Sequence, residues 1–183
     1  MKKIFTLAML FMLAIGMNAQ SYKDKKWGDI CSGKMGAEWY GSAEAISVAD
    51  TLVSVQKTNG GWMKNDQFHN LSSYELSARQ SLNGDNGRNQ HSCFDNYATT
   101  QEMRFLAKVY QKTHQKRYLD SFKRALDLIF TSGNSLKGGW GQYWPLSDDK
   151  YSYQNYITFN DDLMLNMMRM LQDVSEAKGD FAG

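Results

Sequence analysis

Two amphipathic helical patterns in this chain run into the same tripeptide. Residues 42–57 carry Ala45, Ile46, Ala49, Leu52, Val53 and Gln56 at i, i+3/i+4 spacing, with Ser42 as N-cap, and stop at Asn59-Gly60-Gly61-Trp62. Residues 117–131 carry Tyr118, Phe122, Ala125, Leu126 and Ile129 and lead to Gly138-Gly139-Trp140. Gly60 and Gly138 are 78 residues apart, and aligning Ala49 with Ala125 brings the tripeptides within two residues of register. A helix-then-Gly-Gly-Trp unit used twice predicts stacked helical hairpins with their tryptophan loops on one rim, as in an α/α toroid or an α-solenoid.

The rest of the chain agrees with an all-α fold. Met103, Leu106, Ala107 and Tyr110 form the buried stripe of a helix over 98–113, separated from 117–131 by so few residues that the two should be antiparallel neighbours. A further helix is predicted over 161–177, where Met164, Met167, Met168 and Met170 read as core filling. Alternating Val, Ile and Thr are scarce, so strands should be few and short. Residues 20–40 read as an extended lead-in. The polar stretch 58–95 reads as a long loop, unstructured over 71–89, and 133–149 as a second loop.

The amino terminus has a different character. Lys2 and Lys3 precede an apolar run from Ile4 to Met17, and Ala19 supplies the small residue of a cleavage point. That is a secretory signal over 1–19, shorter than the roughly 20 residues of a spanning helix, and no cysteine follows it to carry a lipid. A secreted, periplasmic or cell-surface protein of residues 20–183 is expected, with no stable membrane span. Removing both lysines leaves 19 Lys+Arg against 19 Asp+Glu, so the formal charge of +2 is no nucleic-acid footprint. No nucleic-acid partner is expected. Cys31 and Cys93 are compatible with a disulfide or with two buried thiols.

Three sets of residues could carry chemistry. The paired glycines permit a tight turn and close approach of a ligand, and Trp62, Trp140, Tyr143 and Trp144 offer faces for stacking on a sugar ring; the same aromatics could instead plug the loops into the core. In Phe94-Asp95-Asn96-Tyr97-Ala98-Thr99-Thr100, Asp95 can cap a helix, or Asp95 and Asn96 can present hard oxygens to Ca²⁺. Thr158-Phe159-Asn160-Asp161-Asp162 repeats that arrangement. Two carboxylates gathered in one cleft need a cation or a shared proton, and calcium suits them better than an acid/base pair, with Asp162 left to solvent. His69, His91 and His114 are scattered, and no zinc, nucleophile-elbow or phosphate-loop motif is present.

In order and spacing, Ser42-Ala43-Glu44-Ala45-Ile46, Asn59-Gly60-Gly61-Trp62-Met63-Lys64-Asn65, the Phe94–Ala107 segment, Gly138-Gly139-Trp140-Gly141-Gln142-Tyr143-Trp144-Pro145 and Ile157-Thr158-Phe159-Asn160-Asp161-Asp162 resemble the family 10 pectate lyases, across about 36–181. The resemblance implies an α/α toroid with a groove for polygalacturonate (pectin) and Ca²⁺-assisted β-elimination that leaves a 4,5-unsaturated sugar. It implies calcium and carboxylate handling by Asp95 and Asp161 and a uronate contact at Lys64; Trp62, Asn96, Trp140, Tyr143 and Asn160 are expected to line the substrate groove. The family's proline after Gly-Gly-Trp is Met63 and Gly141 here. Its catalytic arginine falls in a second half expected beyond Gly183. Residues 20–183 therefore read as the N-terminal part of the domain, with no catalytic base identified in them. The alternative is a non-catalytic glycan-binding fragment that uses the same groove.

Overall fold

The computed structural model describes residues 22–83 and 91–182, so the predicted signal over 1–19 lies outside the described residues. The fold is all-α with few, short strands. The helices are α1 (Trp27–Cys31), α2 (Ala43–Val55), α3 (Ser73–Asn83), α4 (Thr100–Thr113), α5 (Lys116–Ser135) and α6 (Leu163–Ser175). Two-residue strands β1 (Ser92–Cys93) and β2 (Tyr143–Trp144) pair antiparallel, Ser92 opposite Trp144 and Cys93 opposite Tyr143.

Helix α2 starts as its sequence predicts: the Ser42 hydroxyl accepts the Ala45 N–H at 3.2 Å. It buries Ala45, Val48, Ala49, Leu52 and Val55. Helix α4 ends at His114, which adopts a left-handed conformation (φ 52°), and a two-residue link returns the chain along α5. Met103, Phe105, Leu106 and Val109 of α4 meet Tyr118, Ala125, Leu128 and Ile129 of α5 in one core, which Met167 and Met170 of α6 extend. The α6 methionines facing inward are core filling.

Two segments differ from expectation. The lead-in is not extended: α1 and a 3₁₀ turn over Ala37–Gly41 fold there, because Trp27 and Tyr40 (each 2% exposed) are core residues. The Trp27 indole N–H donates to Glu102 Oε1 at 2.7 Å, and its ring stacks on the buried His69. The polar stretch after Leu71 forms α3 rather than a loop; its residues 84–89 lie outside the described part. The start of α3 is a reciprocal capping box, in which Glu75 Oε2 accepts the Ser72 N–H at 2.8 Å and the Ser72 hydroxyl accepts the Glu75 N–H at 3.3 Å. Cys31 and Cys93 are both free and buried.

The two Gly-Gly-Trp elements make the same fold-back. The Trp62 indole N–H donates to Leu52 O and that of Trp140 to Ile129 O, each at 2.9 Å, so each ring covers the end of the preceding helix. Each tryptophan carbonyl then accepts a backbone N–H from a later segment, Trp62 from Cys93 and Trp140 from Thr158, both at 2.8 Å. Gly60 has φ +103°, and a Cβ on it would lie 2.3 Å from Arg124 O, so only glycine lets this turn seat against α5. Gln56 fastens it there, donating to Gly60 O at 2.6 Å and to Ser121 O at 2.9 Å.

Candidate active site

The segments that follow the two fold-backs have matching backbones. Phe94 (φ −113°, ψ −7°) corresponds to Phe159 (−103°, −6°). Asn96 (51°, 40°) corresponds to Asp161 (50°, 35°), and Tyr97 (φ 63°) to Asp162 (φ 57°). Asn and Asp tolerate the left-handed region better than most residues, which is a local reason for both. Asp95 therefore matches Asn160, and Asn96 matches Asp161: the acid and the amide are transposed between the two units. The first connection is also longer. Trp62 to Asp95 spans 95 − 62 = 33 positions and Trp140 to Asn160 spans 160 − 140 = 20, and α3 occupies the excess. The turns Asp95–Tyr97 and Asn160–Asp162 pack against each other, so the two acidic segments do come together.

Asp95 is not a helix cap. It is 4% exposed, and its Oδ1 accepts the Asn96 N–H at 2.9 Å while Oδ2 accepts from Lys64 Nζ at 2.6 Å. Helix α4 begins five residues later, after Thr99, a left-handed residue (φ 67°) with no side-chain cap. Lys64 lies just past the first Gly-Gly-Trp, and the β1–β2 pairing brings Tyr143 over it, with its ammonium 5.7 Å from the ring centroid. The hydrogen bond to Asp95 raises the Lys64 ammonium well above its usual range. Lys64 thus keeps its charge even in alkaline solution. It can bind an anion but not act as a base. Its side chain is 27% exposed against 5% for Asp95: a buried carboxylate holds a cation whose head reaches solvent. Beside it, the exposed Asn96 donates through Nδ2 to Asn65 Oδ1 at 3.3 Å. Burial pushes the neighbouring Cys93 thiol up to about 11, so it is no nucleophile at neutral pH.

Of the residues expected at a site, Lys64, Asp95, Asn96 and Tyr143 gather here, and the turn bearing Asn160 and Asp161, both exposed, abuts them. Trp62 and Trp140 do not offer stacking faces. They are 1% and 7% exposed and plug the hairpins, because each indole N–H finds its partner inside the core. Among the described residues, no three His, Cys, Asp or Glu side chains form a metal-binding group. Calcium takes six to eight oxygens, so Asp161, Asn160 and Asn96 fit it only as part of a shell that water or a ligand's carboxylates complete.

A family model described as pectic acid lyase matches residues 56–183. The chain belongs to the pectic acid lyase family. Two solved structures of a family 10 polysaccharide lyase from Cellvibrio cellulosa are similar to it. One is 28% identical, with a TM-score of 0.61, over 85% of this chain and 43% of that one. The other, a point mutant in complex with trigalaturonic acid, is 26% identical with a TM-score of 0.61, over 85% and 44%. This lyase-family chain thus spans less than half the length of those solved chains. No curated protein matches it. Among its described residues no helix is long and apolar enough to cross a membrane. Sequence reasoning missed Asn65, a left-handed residue (φ 67°) that positions Asn96; its signal is the Lys64-Asn65 pair directly after Gly-Gly-Trp-Met.

Proposed function

We propose that this chain supplies the acidic-sugar groove of a secreted pectate lyase that cleaves polygalacturonate by β-elimination. The carrying observation is the Lys64–Asp95 pair, a charged ammonium held at the surface by a sealed carboxylate, beside Tyr143 and the Asn160–Asp162 turn. Lys64 would receive a uronate carboxylate, Tyr143 would limit the ammonium's movement, and Asn96 and Asn160 would bind sugar hydroxyls. Asp161 and the amide oxygens beside it would hold Ca²⁺ together with the substrate's carboxylate. Calcium held there would supply positive charge to the group next to the C5 proton, which would stabilise the anion formed when a base takes that proton. In this reading residues 1–19 are the export signal and 20–183 belong to an α/α toroid. The related lyase bound to trigalaturonic acid supports the substrate class.

A second reading, glycan binding without cleavage, is favoured by the arginines. Four of the five described arginines, Arg79, Arg104, Arg117 and Arg124, are bonded to Asp66, Asp173, Asp50 and Gln56, and so are engaged elsewhere; Arg169 is the exception. The test is to incubate the full chain with polygalacturonate and Ca²⁺ at alkaline pH and to follow absorbance of the unsaturated product. Rising absorbance supports the lyase; binding without product, by this chain and by one extended to the length of the solved relatives, supports the second reading; neither product nor binding overturns both. Lys64→Met should weaken binding by about tenfold or more, the worth of one charge-assisted hydrogen bond.

A further inference from the structure

Next to Lys64, and sharing it as a wall, is a cavity of about 370 Å³, within the range of small-ligand sites. Its polar lining is Lys57, Lys64, Asp66 and Arg79, and Met63 and Phe68 supply apolar surface. The charges are unequal. Arg79 grips Asp66 through both carboxylate oxygens, Nε to Oδ2 at 3.0 Å and Nη2 to Oδ1, so the carboxylate in this wall is engaged by its own guanidinium. Lys64 is bonded to Asp95. Lys57 remains. The residue is 7% exposed, and its ammonium, which is not sealed from solvent, has no hydrogen bond or ion pair with any described residue.

Such a lysine is costly. Burial pulls its ammonium below the usual range, Asp66 offsets this in part, and Arg79 adds to it. The backbone nevertheless holds it in place: the Lys57 N–H donates to Gly61 O and its carbonyl accepts the Gly60 N–H, each at 2.9 Å, in the turn that glycine alone allows. A cation fixed on a rigid turn, lining a cavity of ligand size without an anion of its own, is arranged for an anion from outside.

We infer that the Lys57 cavity is an anion subsite that takes a uronate carboxylate of the same acidic polysaccharide whose neighbouring residue sits at Lys64. This rests on the function proposed above. The exposed apolar Met63 would face the C–H edges of the sugar ring, and Lys57 its carboxylate. The Arg79–Asp66 pair fixes α3 as the outer wall, which gives a role to the 13 residues by which the first connection exceeds the second (33 − 20).

Calorimetric titration of the full chain with hexagalacturonate, and with its methyl ester, tests this. Lys57→Met should weaken hexagalacturonate by about tenfold or more and leave the uncharged ester unaffected, while Lys57→Arg should keep most of the affinity. If the wild type binds hexagalacturonate and Lys57→Met binds it equally well, the subsite is overturned and the proposed function stands. If the wild type does not bind, the proposed function falls and takes the subsite with it. Should Lys57→Met not fold, the Lys57 side-chain NMR resonance of the wild type decides: its titration midpoint must rise when hexagalacturonate is added, and an unmoved midpoint overturns the subsite.

Discussion

Glu102 is fully buried on α4, with Oε1 taking the Trp27 indole N–H and Oε2 without a partner among the described residues. Burial pushes its carboxyl up to about 7, against which the Trp27 hydrogen bond works. The sign follows from linkage. Between the ordinary carboxyl value of 4.5 and about 7 the folded chain keeps a proton that the unfolded chain has released. Stability from this group is therefore greatest below that window, falls as pH rises through it, and is level above; the fall is of order 3 kcal/mol. Glu102→Gln retains an acceptor for Trp27 and removes the titration. Urea midpoints of wild type and variant at about pH 4.5 and about pH 8 should show the variant's advantage growing with pH; an equal gap at both would refute this account. At this scale much was legible. Lys64, Asp95 and Asn96 are quoted by their motifs, but that Lys64 and Asp95 bond to each other, 31 positions apart, is a product of the fold.

The elements show where local rules were enough and where they were overruled. The stripes of α2, α4 and α5 and the Ser42 cap were readable because each is set within a few residues. Helix α3 has a local signal in its Ser72–Glu75 capping box, but its polar composition makes the stretch read as a loop. Lead-in helix α1 was not, since a short segment around Trp27 gains its conformation by burying that ring against Phe68, His69 and Phe105. The two turn glycines provide a test. Gly60 and Gly138 have similar conformations, φ +103° and +99°, yet a Cβ at Gly60 would meet Arg124 O at 2.3 Å while one at Gly138 meets nothing within 4 Å. Gly138→Ala should cost only the backbone strain of a left-handed alanine, about 1–2 kcal/mol. Gly60→Ala must also shift α5, so it should lower the melting temperature clearly further. Equal losses would mean that the first turn is not seated as described.

On the scale of the whole molecule, the two fold-back units share a core. Cys31 belongs to that core and Cys93 to β1, and burial holds both thiols up. Reductant should therefore leave the melting temperature unchanged, and both cysteines should react with a thiol reagent only after unfolding; a drop with reductant would reveal a disulfide. The sequence by itself determined the helical class, the doubled Gly-Gly-Trp unit and the motifs that mark the family, because helix periodicity, caps and glycine turns are encoded in neighbouring residues. The tertiary structure decided which chemistry these residues can do. It turned Trp62 and Trp140 from possible sugar platforms into core plugs, matched Asp95 to Asn160 rather than Asp161, paired Asp95 with Lys64, and left the Lys57 ammonium without a bonded anion. Burial, and the distance between residues far apart in the chain, set each of those outcomes, and neither is a property of a local stretch of sequence.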